Sequence, residues 1–180
     1  KVLEEANWCR IKRPNDYNNI WLGEPLIQSE FNIFKNFEVN RIIKEDLELC
    51  SGPYYGLDFG HSIDPCALVE CYINTKHRKL FITREAYKYD VRLDDLPAFI
   101  NTLGIFKRER IIADSSRPET IQFLNSKGGI LIPSKKGPGS VLQGIEFIKN
   151  FDITIAPECE HTLFEFVNYK WQKDNKTGLP

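Results

Sequence analysis

The sequence of 180 residues is poor in the residues that build metal-thiolate or histidine sites. Its five cysteines are scattered without a C-x-x-C pair, and its three histidines show no metal-ligand spacing, so no zinc site is predicted. An odd number of scattered cysteines favours a reducing, intracellular setting. Methionine is absent altogether, and the chain begins with lysine, so we expect it to be a piece of a longer protein.

Excess charge and long apolar runs are also missing. The net charge is −1, so there is no overall basic field, and any binding to nucleic acid must come from a local patch. The sequence contains no run of about 18 apolar residues, so no membrane span is predicted. It shows no signal peptide either. The hydrophobic content of 42% is sufficient for the core of one ordinary domain.

The first 50 residues differ from those that follow. They contain a polar, turn-rich stretch at 15–19 and a short aromatic stretch at 20–25, and 31–39 alternates loosely like one strand. We interpret 1–50 as a linker that packs aromatic residues onto a folded domain at 51–180. A plain N-terminal extension with a hydrophobic anchor explains these residues equally well.

The domain is predicted to begin with three strands joined by short turns, and then to alternate helices with strands. Apolar residues at helical spacing follow the third strand, and Gly104 is expected to end that helix. Pro118 and Ser140 are placed to begin two further helices, Ser140 as an N-cap. The order β-β-β-α-β-α-β-α-β-α predicts an α/β fold with a mixed sheet flanked by helices, the ribonuclease H-like architecture. The expected strands are Tyr54–Phe59, Ala67–Ile73, Lys79–Tyr87, Arg110–Ala113, Ile130–Pro133 and Ile153–Ile155, and the last helix is Glu158–Trp171.

Two aspartates stand at the ends of predicted core strands. Asp58 follows an apolar run that precedes the turn at Gly60, and Asp114 directly follows the strand Arg110–Ala113. Asp is a poor strand former, and its charge is costly to bury without a partner. Two carboxylates on neighbouring strands suggest a site for divalent cations. The alternative is that Asp58 caps a turn and Asp114 caps the helix that begins at Pro118.

A basic, glycine-rich loop is the best candidate for binding phosphate. Lys135 and Lys136 precede Gly137-Pro138-Gly139, and Ser140 stands at the expected start of a helix. Arg117, three residues after Asp114, is a second candidate for holding a phosphate, although it is equally placed to pair with Glu119. The loop is alternatively a solvated turn with a capping serine.

Two nucleotide-binding interpretations receive less support. Asp-Phe-Gly after a strand is similar to the phosphate-binding start of actin-like and sugar-kinase ATPases, but His61 replaces the expected Ser or Thr and no second Asp-x-Gly motif is present. No G-x-x-x-x-G-K-[ST] motif occurs, so the chain carries no P-loop.

Several motifs together resemble the nuclease domain of the large subunits of tailed-phage and prophage terminases. The resemblance extends over nearly the whole chain, and its motifs occur in the same order. They are Gly56-Leu57-Asp58-Phe59-Gly60 with Asp64-Pro65-Cys66-Ala67, then Ala113-Asp114-Ser115-Ser116-Arg117-Pro118-Glu119, then Lys136-Gly137-Pro138-Gly139-Ser140-Val141 with Gly144-Ile145.

The resemblance implies a Mg²⁺- or Mn²⁺-dependent endonuclease that cuts concatemeric double-stranded viral DNA in the host cytoplasm. It implies that Asp58 and Asp114 are catalytic metal ligands. In such an enzyme, the candidate phosphate-binding residues Lys135, Lys136, Ser140 and Arg117 are expected to bind the DNA. It further implies that 1–50 joins a packaging ATPase, and that the portal protein and the small terminase subunit are partners. The family's third acidic position lies in a His-x-x-Asp-Ala segment, which we expect beyond Pro180.

Two other functions remain open from the sequence. One is a different ribonuclease H-like nuclease of the resolvase or integrase type. The other is a non-catalytic module that docks onto DNA or the portal protein.

Overall fold

A computed structural model describes residues 32–60 and 64–171. The described residues form seven strands and five α-helices, and two 3-10 turns, Leu93–Asp95 and Asn101–Leu103, flank the second helix. The strands are β1 (Phe37–Val39), β2 (Ser51–Asp58), β3 (Cys66–Asn74), β4 (Lys79–Lys88), β5 (Arg110–Ala113), β6 (Ile130–Pro133) and β7 (Asp152–Ile155). The helices are α1 (Lys44–Leu47), α2 (Leu96–Ile100), α3 (Pro118–Ser126), α4 (Ser140–Lys149) and α5 (Glu160–Asn168).

All seven described strands belong to one mixed sheet, in the order β1-β7-β4-β3-β2-β5-β6. β3 runs antiparallel to both of its neighbours, β2 and β4, whereas the other paired strands are parallel. The carboxyl ends of β2, β4, β5, β6 and β7 therefore lie at the same edge of the sheet. This topology is the mixed sheet of an α/β fold that the sequence predicts.

One face of the β2-β5-β6 region forms the main core. Buried side chains on these strands alternate with exposed ones, as in the exposed-buried-exposed-buried pattern of β5. α2 and α3 contribute apolar side chains to the same cluster, including Ile100 and Leu124, which are completely buried. Each such side chain contributes about 1.5–3 kcal/mol when it is removed from water. The stability of this region thus depends on one face of the sheet and leaves the other face available.

Most of the predicted elements are found, with shifted ends. The bounds of β5 and β6 are confirmed, and β3, β4 and β7 are one residue longer at one or both ends than expected. β2 begins three residues earlier and ends one residue earlier than predicted, and the last helix, Glu160–Asn168, is shorter than the predicted Glu158–Trp171. The helix expected after β4 is shorter, because α2 covers only Leu96–Ile100 between the two 3-10 turns. Gly104, in the left-handed conformation at φ 72°, ends this segment as predicted.

The chain groups into two units, 36–164 and a second that combines 1–35 with 165–180. Within the first unit, β1 pairs in parallel with β7, so part of the predicted extension contributes a strand to the sheet. The division at residue 50 stays a prediction, and the aromatic stretches before residue 32 lie outside the described residues. In the described part of the chain, no helix is long and apolar enough to cross a membrane.

A buried carboxylate connects the middle strands of the sheet. Glu70 of β3 is 4% exposed and accepts hydrogen bonds from Tyr55 Oη (2.7 Å), Thr83 Oγ1 (2.7 Å) and Arg84 Nε (2.8 Å). Arg84 Nη2 also pairs with Glu70, and Arg84 Nη1 donates to the Leu103 carbonyl at 3.1 Å. Burial opposes the ionisation of Glu70, but the hydrogen bonds from Arg84, Thr83 and Tyr55 outweigh it and lower the pKa of its carboxyl.

We expect Glu70→Ala to lower the free energy of unfolding by about 2–3 kcal/mol, because it leaves the partners of a charged, buried acceptor without their hydrogen bonds. Glu146→Ala is the control, since Glu146 forms only an exposed pair with Lys149, 2.9 Å apart; its loss should be below about 0.5 kcal/mol. Urea denaturation of both variants measures the difference. Equal losses would show that the Glu70 network contributes no more than a surface pair.

Candidate metal-binding site

Asp58 is the last residue of β2. Leu57 before it and Phe59 after it are buried, so the alternation of the strand turns the Asp58 carboxylate to the opposite, exposed face. Asp58 Oδ1 accepts a long hydrogen bond of 3.4 Å from Gly60 N. Gly60 has φ 61°, and a Cβ there would lie 2.4 Å from the Pro65 carbonyl oxygen. The turn after Asp58 therefore requires glycine.

Asp114 directly follows β5, and its backbone continues the pairing with β2. Asp114 N donates to the Leu57 carbonyl at 2.9 Å, and Ala113 accepts from Ser134 N at 2.8 Å. Ser116 fixes the side chain, since its Oγ donates to Asp114 Oδ2 at 2.6 Å. The Asp114 carboxylate is thus held by a side chain of its own loop. The strand before it, β5, is fixed in the core by the buried side chains of Ile111 and Ala113.

The register places the two aspartates side by side. Leu57 pairs with Ala113 in the parallel β2-β5 ladder, so Asp58 and Asp114 occupy the next position of each strand on the same face. Neighbouring strands are about 4.8 Å apart. The expectation that these two strands are neighbours is confirmed, and the role of the two carboxylates as metal ligands stays a prediction.

A lysine from the basic loop balances one of these charges. Lys136 Nζ forms an ion pair with Asp114 Oδ1, and the Asp114 side chain is 23% exposed. The hydrogen bond from Lys136 and then that from Ser116 lower the pKa of the Asp114 carboxyl. A carboxyl with a lowered pKa stabilises the fold above the pKa of the unfolded chain, and this contribution is lost as the pH falls through the folded pKa. Asp114 is therefore ionised and paired at neutral pH.

The other predicted DNA-binding residues lie on the loops and helix ends that follow β5 and β6. Lys135 is exposed beside Lys136. Arg117 occupies the N-cap position of α3. The prediction that Ser140 is an N-cap is wrong by one residue, because Gly139 takes that position with φ 74° and Ser140 is the first residue of α4. The left-handed conformation is easier for glycine than for serine, so the helix begins after Gly139.

Arg117 also lines a cavity of about 340 Å³ beyond the end of β2. Cys66 lies in its wall, and burial, then the charge of Asp58, raise the pKa of its thiol to about 12. This cysteine is a neutral thiol rather than a thiolate ligand at neutral pH. The remaining lining residues are Phe59, Gly60, Asp64, Asp90, Val91 and Arg92.

The groups at this edge fit a hard divalent cation. Asp58 and Asp114 are on the same face of the sheet, and the nearby Cys66 sulfur is protonated, so the donor set is of the carboxylate-oxygen type that Mg²⁺ and Mn²⁺ prefer. Within residues 32–60 and 64–171, no three or more His, Cys, Asp or Glu side chains are grouped to hold a metal. Two carboxylates usually suffice for Mg²⁺ when water and phosphate complete its shell.

Sequence reasoning missed two features of this site. The Lys136–Asp114 pair joins residues that were assigned to separate motifs, and no local spacing indicates it. Ser116 was read as part of a motif but not as the side chain that orients Asp114. An Asp followed two residues later by Ser is a signal for such a bond, because short polar side chains often bond to neighbours in turns.

A mixed sheet with flanking helices, and with two acidic residues at the ends of neighbouring parallel strands, is typical of the ribonuclease H-like class, and the predicted fold class is confirmed. The family model described as "Terminase RNAseH like domain" matches residues 58–179, and the chain belongs to this family. The resemblance to phage terminase nuclease domains is thereby confirmed.

Relatives with sequence and structural similarity agree with this assignment. The chain is similar to the terminase large subunit of Bacillus phage SPP1, with 33% identity over an alignment of 186 residues. The alignment covers 99% of this chain and 43% of that protein. The chain is 29% identical over 144 residues to the PBSX phage terminase large subunit of Bacillus subtilis strain 168, which covers 76% of this chain and 32% of that protein. The chain therefore spans less than half the length of these curated relatives.

A solved structure of the nuclease domain of the SPP1 large terminase, with bound Mn, has a TM-score of 0.71 and 30% identity to this chain. The match covers 82% of this chain and 85% of that domain. The large terminase of a thermophilic bacteriophage, at 19% identity and a TM-score of 0.60, shares the fold over 96% of this chain and 45% of its own.

We expect Gly60→Ala to destabilise the protein more than Gly104→Ala does. Both glycines have a left-handed φ, which costs another residue roughly 1–2 kcal/mol. A Cβ at Gly104 has nothing within 4 Å, whereas a Cβ at Gly60 collides with the Asp64 and Pro65 carbonyl oxygens. Thermal and urea unfolding measure the difference; similar losses would mean that the turn after Asp58 readily opens.

Proposed function

We propose that the chain is a metal-dependent DNA endonuclease domain that cuts concatemeric double-stranded viral DNA, with Asp58 and Asp114 as its catalytic metal ligands. The observation that carries this proposal is the β2-β5 register, which puts two carboxylates side by side on one face at the same edge of the sheet. The bound Mn of the SPP1 nuclease domain, a relative with 30% identity, supports the choice of a divalent cation.

The chain's own residues contribute to the reaction by holding the two carboxylates in fixed positions. β2 and β5 position Asp58 and Asp114, Ser116 orients one Asp114 oxygen, and Lys136 keeps the Asp114 carboxyl ionised. Mg²⁺ or Mn²⁺ ions, when bound, supply an activated water and stabilise the leaving oxygen of the phosphodiester. Lys136 becomes available to a DNA phosphate if a cation takes over its place beside Asp114.

The DNA itself would be held by a local basic patch. Lys135 is exposed and directly precedes Lys136, which pairs with Asp114, and Arg117 stands three residues beyond Asp114 at the start of α3. Ser140, at the start of α4, is the remaining candidate in the loop. Because the net charge of the chain is −1, its affinity for DNA must depend on such a patch.

The larger assembly is part of the same proposal. We place the nuclease in the host cytoplasm, in a full-length protein with an ATPase domain, where the portal protein and the small terminase subunit are its partners. Cys50, Cys66, Cys71 and Cys159 are free thiols, which suits a reducing compartment. A third acidic ligand is expected from outside the described residues.

The metal site can be tested without measuring activity. We expect Mn²⁺ to broaden the amide resonances of residues next to Asp58 and Asp114, and Asp58→Asn or Asp114→Asn to weaken Mn²⁺ binding by at least about 10-fold, because loss of even an outer-shell partner costs that much. Asp152→Asn is the control, since Asp152 is an exposed aspartate at the first position of β7, at the opposite edge of the sheet.

Each result separates the candidate functions. If both variants bind Mn²⁺ like the original chain, the two aspartates are not its ligands and the proposal is wrong. Absence of Mn²⁺ binding by the original chain would favour the non-catalytic docking module. If binding is lost in both variants but Mn²⁺-dependent nicking persists, the cutting site lies elsewhere.

The DNA path can be tested through its salt dependence. We expect Lys135→Ala to lower the slope of log affinity against log salt by about 0.9, the value for one lost phosphate contact on duplex DNA. Lys149→Ala is the control, because Lys149 is paired with Glu146 at the end of α4. Fluorescence anisotropy at several salt concentrations gives the slopes. An unchanged slope for Lys135→Ala would place the DNA path elsewhere.

A further inference from the structure

Three aromatic side chains at the end of β4 and the start of α5 form a cluster that we call the aromatic shelf. The His161 ring lies flat on Tyr87, with centroids 4.0 Å apart and an interplanar angle of 5°. Tyr89 meets Tyr87 edge-on, with centroids 5.6 Å apart and an angle of 87°, and the two hydroxyl oxygens are 3.4 Å apart. None of these residues has a role in the function proposed above.

The shelf lies in the same row of the sheet as the carboxylate pair. Asp58 is opposite Ala67 in the β2-β3 ladder, and Ala67 is opposite Tyr87 in the β3-β4 ladder. Residues opposite one another point to the same face, so Tyr87 and Asp58 share a face and are separated only by the small Ala67. Two strand spacings put their backbones about 10 Å apart.

His161 is held in place from the sheet. Glu85 of β4 accepts hydrogen bonds from His161 N (2.9 Å), Thr162 N (2.8 Å) and Thr162 Oγ1 (2.7 Å). These bonds satisfy backbone donors at the start of α5 with a carboxylate. A DNA phosphate is therefore not expected at this helix end, because it would meet the negative charge of Glu85. The aromatic shelf therefore offers a ligand the flat face of the His161 ring.

His161 and Tyr89 are exposed, and Tyr87 is partly exposed beneath the His161 ring. Exposed aromatic rings beside a nucleic-acid path stack on bases, and every base offers a π-face for this contact. We propose that His161, supported by Tyr87 and Tyr89, stacks on an unpaired base of the DNA strand whose phosphate lies at Asp58 and Asp114.

This inference rests on the proposed function, since it takes the position of the DNA from the carboxylate pair. The basic loop lies on the β6 side of the pair and the shelf on the β4 side, so a strand that crosses the pair meets cations first and aromatic rings afterwards. The backbones of Asp58 and Tyr87, about 10 Å apart, are within reach of a few nucleotides of one strand. The substrate is thus DNA that is locally opened close to the cut, rather than fully paired duplex.

The test measures binding of the 180-residue chain, in buffer with Ca²⁺, to two labelled oligonucleotides. One oligonucleotide is fully paired, and the other has a short unpaired segment. We expect His161→Ala to weaken binding of the opened DNA by about fivefold or more, and His161→Phe to retain it, because phenylalanine still stacks. The salt slope should stay unchanged, since stacking releases no counterions. A 2-aminopurine in the unpaired segment should be quenched by the original chain and not by His161→Ala.

Phe147→Ala is the control, because Phe147 is an exposed aromatic residue on α4 that makes no contact with the shelf. Replacing the stacked base by an abasic nucleotide should weaken binding to the original chain but not further weaken binding to His161→Ala. Equal affinities of the original chain and His161→Ala for opened DNA would overturn the inference. So would a lower salt slope in His161→Ala, since it would indicate a phosphate contact instead.

The inference and the proposed function fail in different measurements. Unchanged Mn²⁺ binding in Asp58→Asn refutes the metal site, whereas the stacking experiment measures DNA binding in the absence of cleavage. Because His161 is exposed, its variants are expected to fold, and circular dichroism melting curves verify this before binding is measured.

Discussion

Two like charges at the ends of adjacent parallel strands are the constraint on which this structure depends. The hydrogen bond from Asp114 N to the Leu57 carbonyl fixes the strands in a register that brings Asp114 next to Asp58. Charges about 5 Å apart repel by roughly 1 kcal/mol in water and by about 3 kcal/mol at an effective dielectric constant of 20. Lys136 offsets part of this repulsion at Asp114. Positive charge beside the two carboxylates therefore stabilises this part of the fold, which is the electrostatic reason for expecting a bound cation.

The two faces of β2 and β5 have different roles, one in stability and the other in the candidate site. Leu57 and Ala113 are buried in the core, and the residues that follow them carry the carboxylates on the opposite face. A slip of one residue in either strand would bury a charged group and expose an apolar one, so the packed face also protects the arrangement of the open face. The Glu70 network adds a second restraint between β2, β3 and β4.

The elements that could be predicted from the sequence are those defined by local patterns. β5 and β6 are short apolar runs bounded by turns, and Pro118 and Gly104 mark a helix start and a helix end by their own backbone preferences. The start of α4 was misplaced because two adjacent residues, Gly139 and Ser140, both suit a helix terminus, and backbone conformation decided between them. The Lys136–Asp114 pair and the stacking of His161 on Tyr87 join residues far apart in sequence. No spacing rule covers such contacts, since they exist only once the sheet is assembled.

β3, the one antiparallel strand among the seven described, also has a consequence for the order in which the molecule assembles. β2, β3 and β4 form a meander of neighbours in sequence, so their pairing closes only short loops, whereas β5 must cross from beyond β4 to reach the other side of β2. Contacts between distant residues form more slowly, because more chain entropy is lost before they are made. From this connectivity we expect the β2-β3-β4 meander, which includes Asp58 at the end of β2, to pair before β5 docks beside β2 and brings in Asp114.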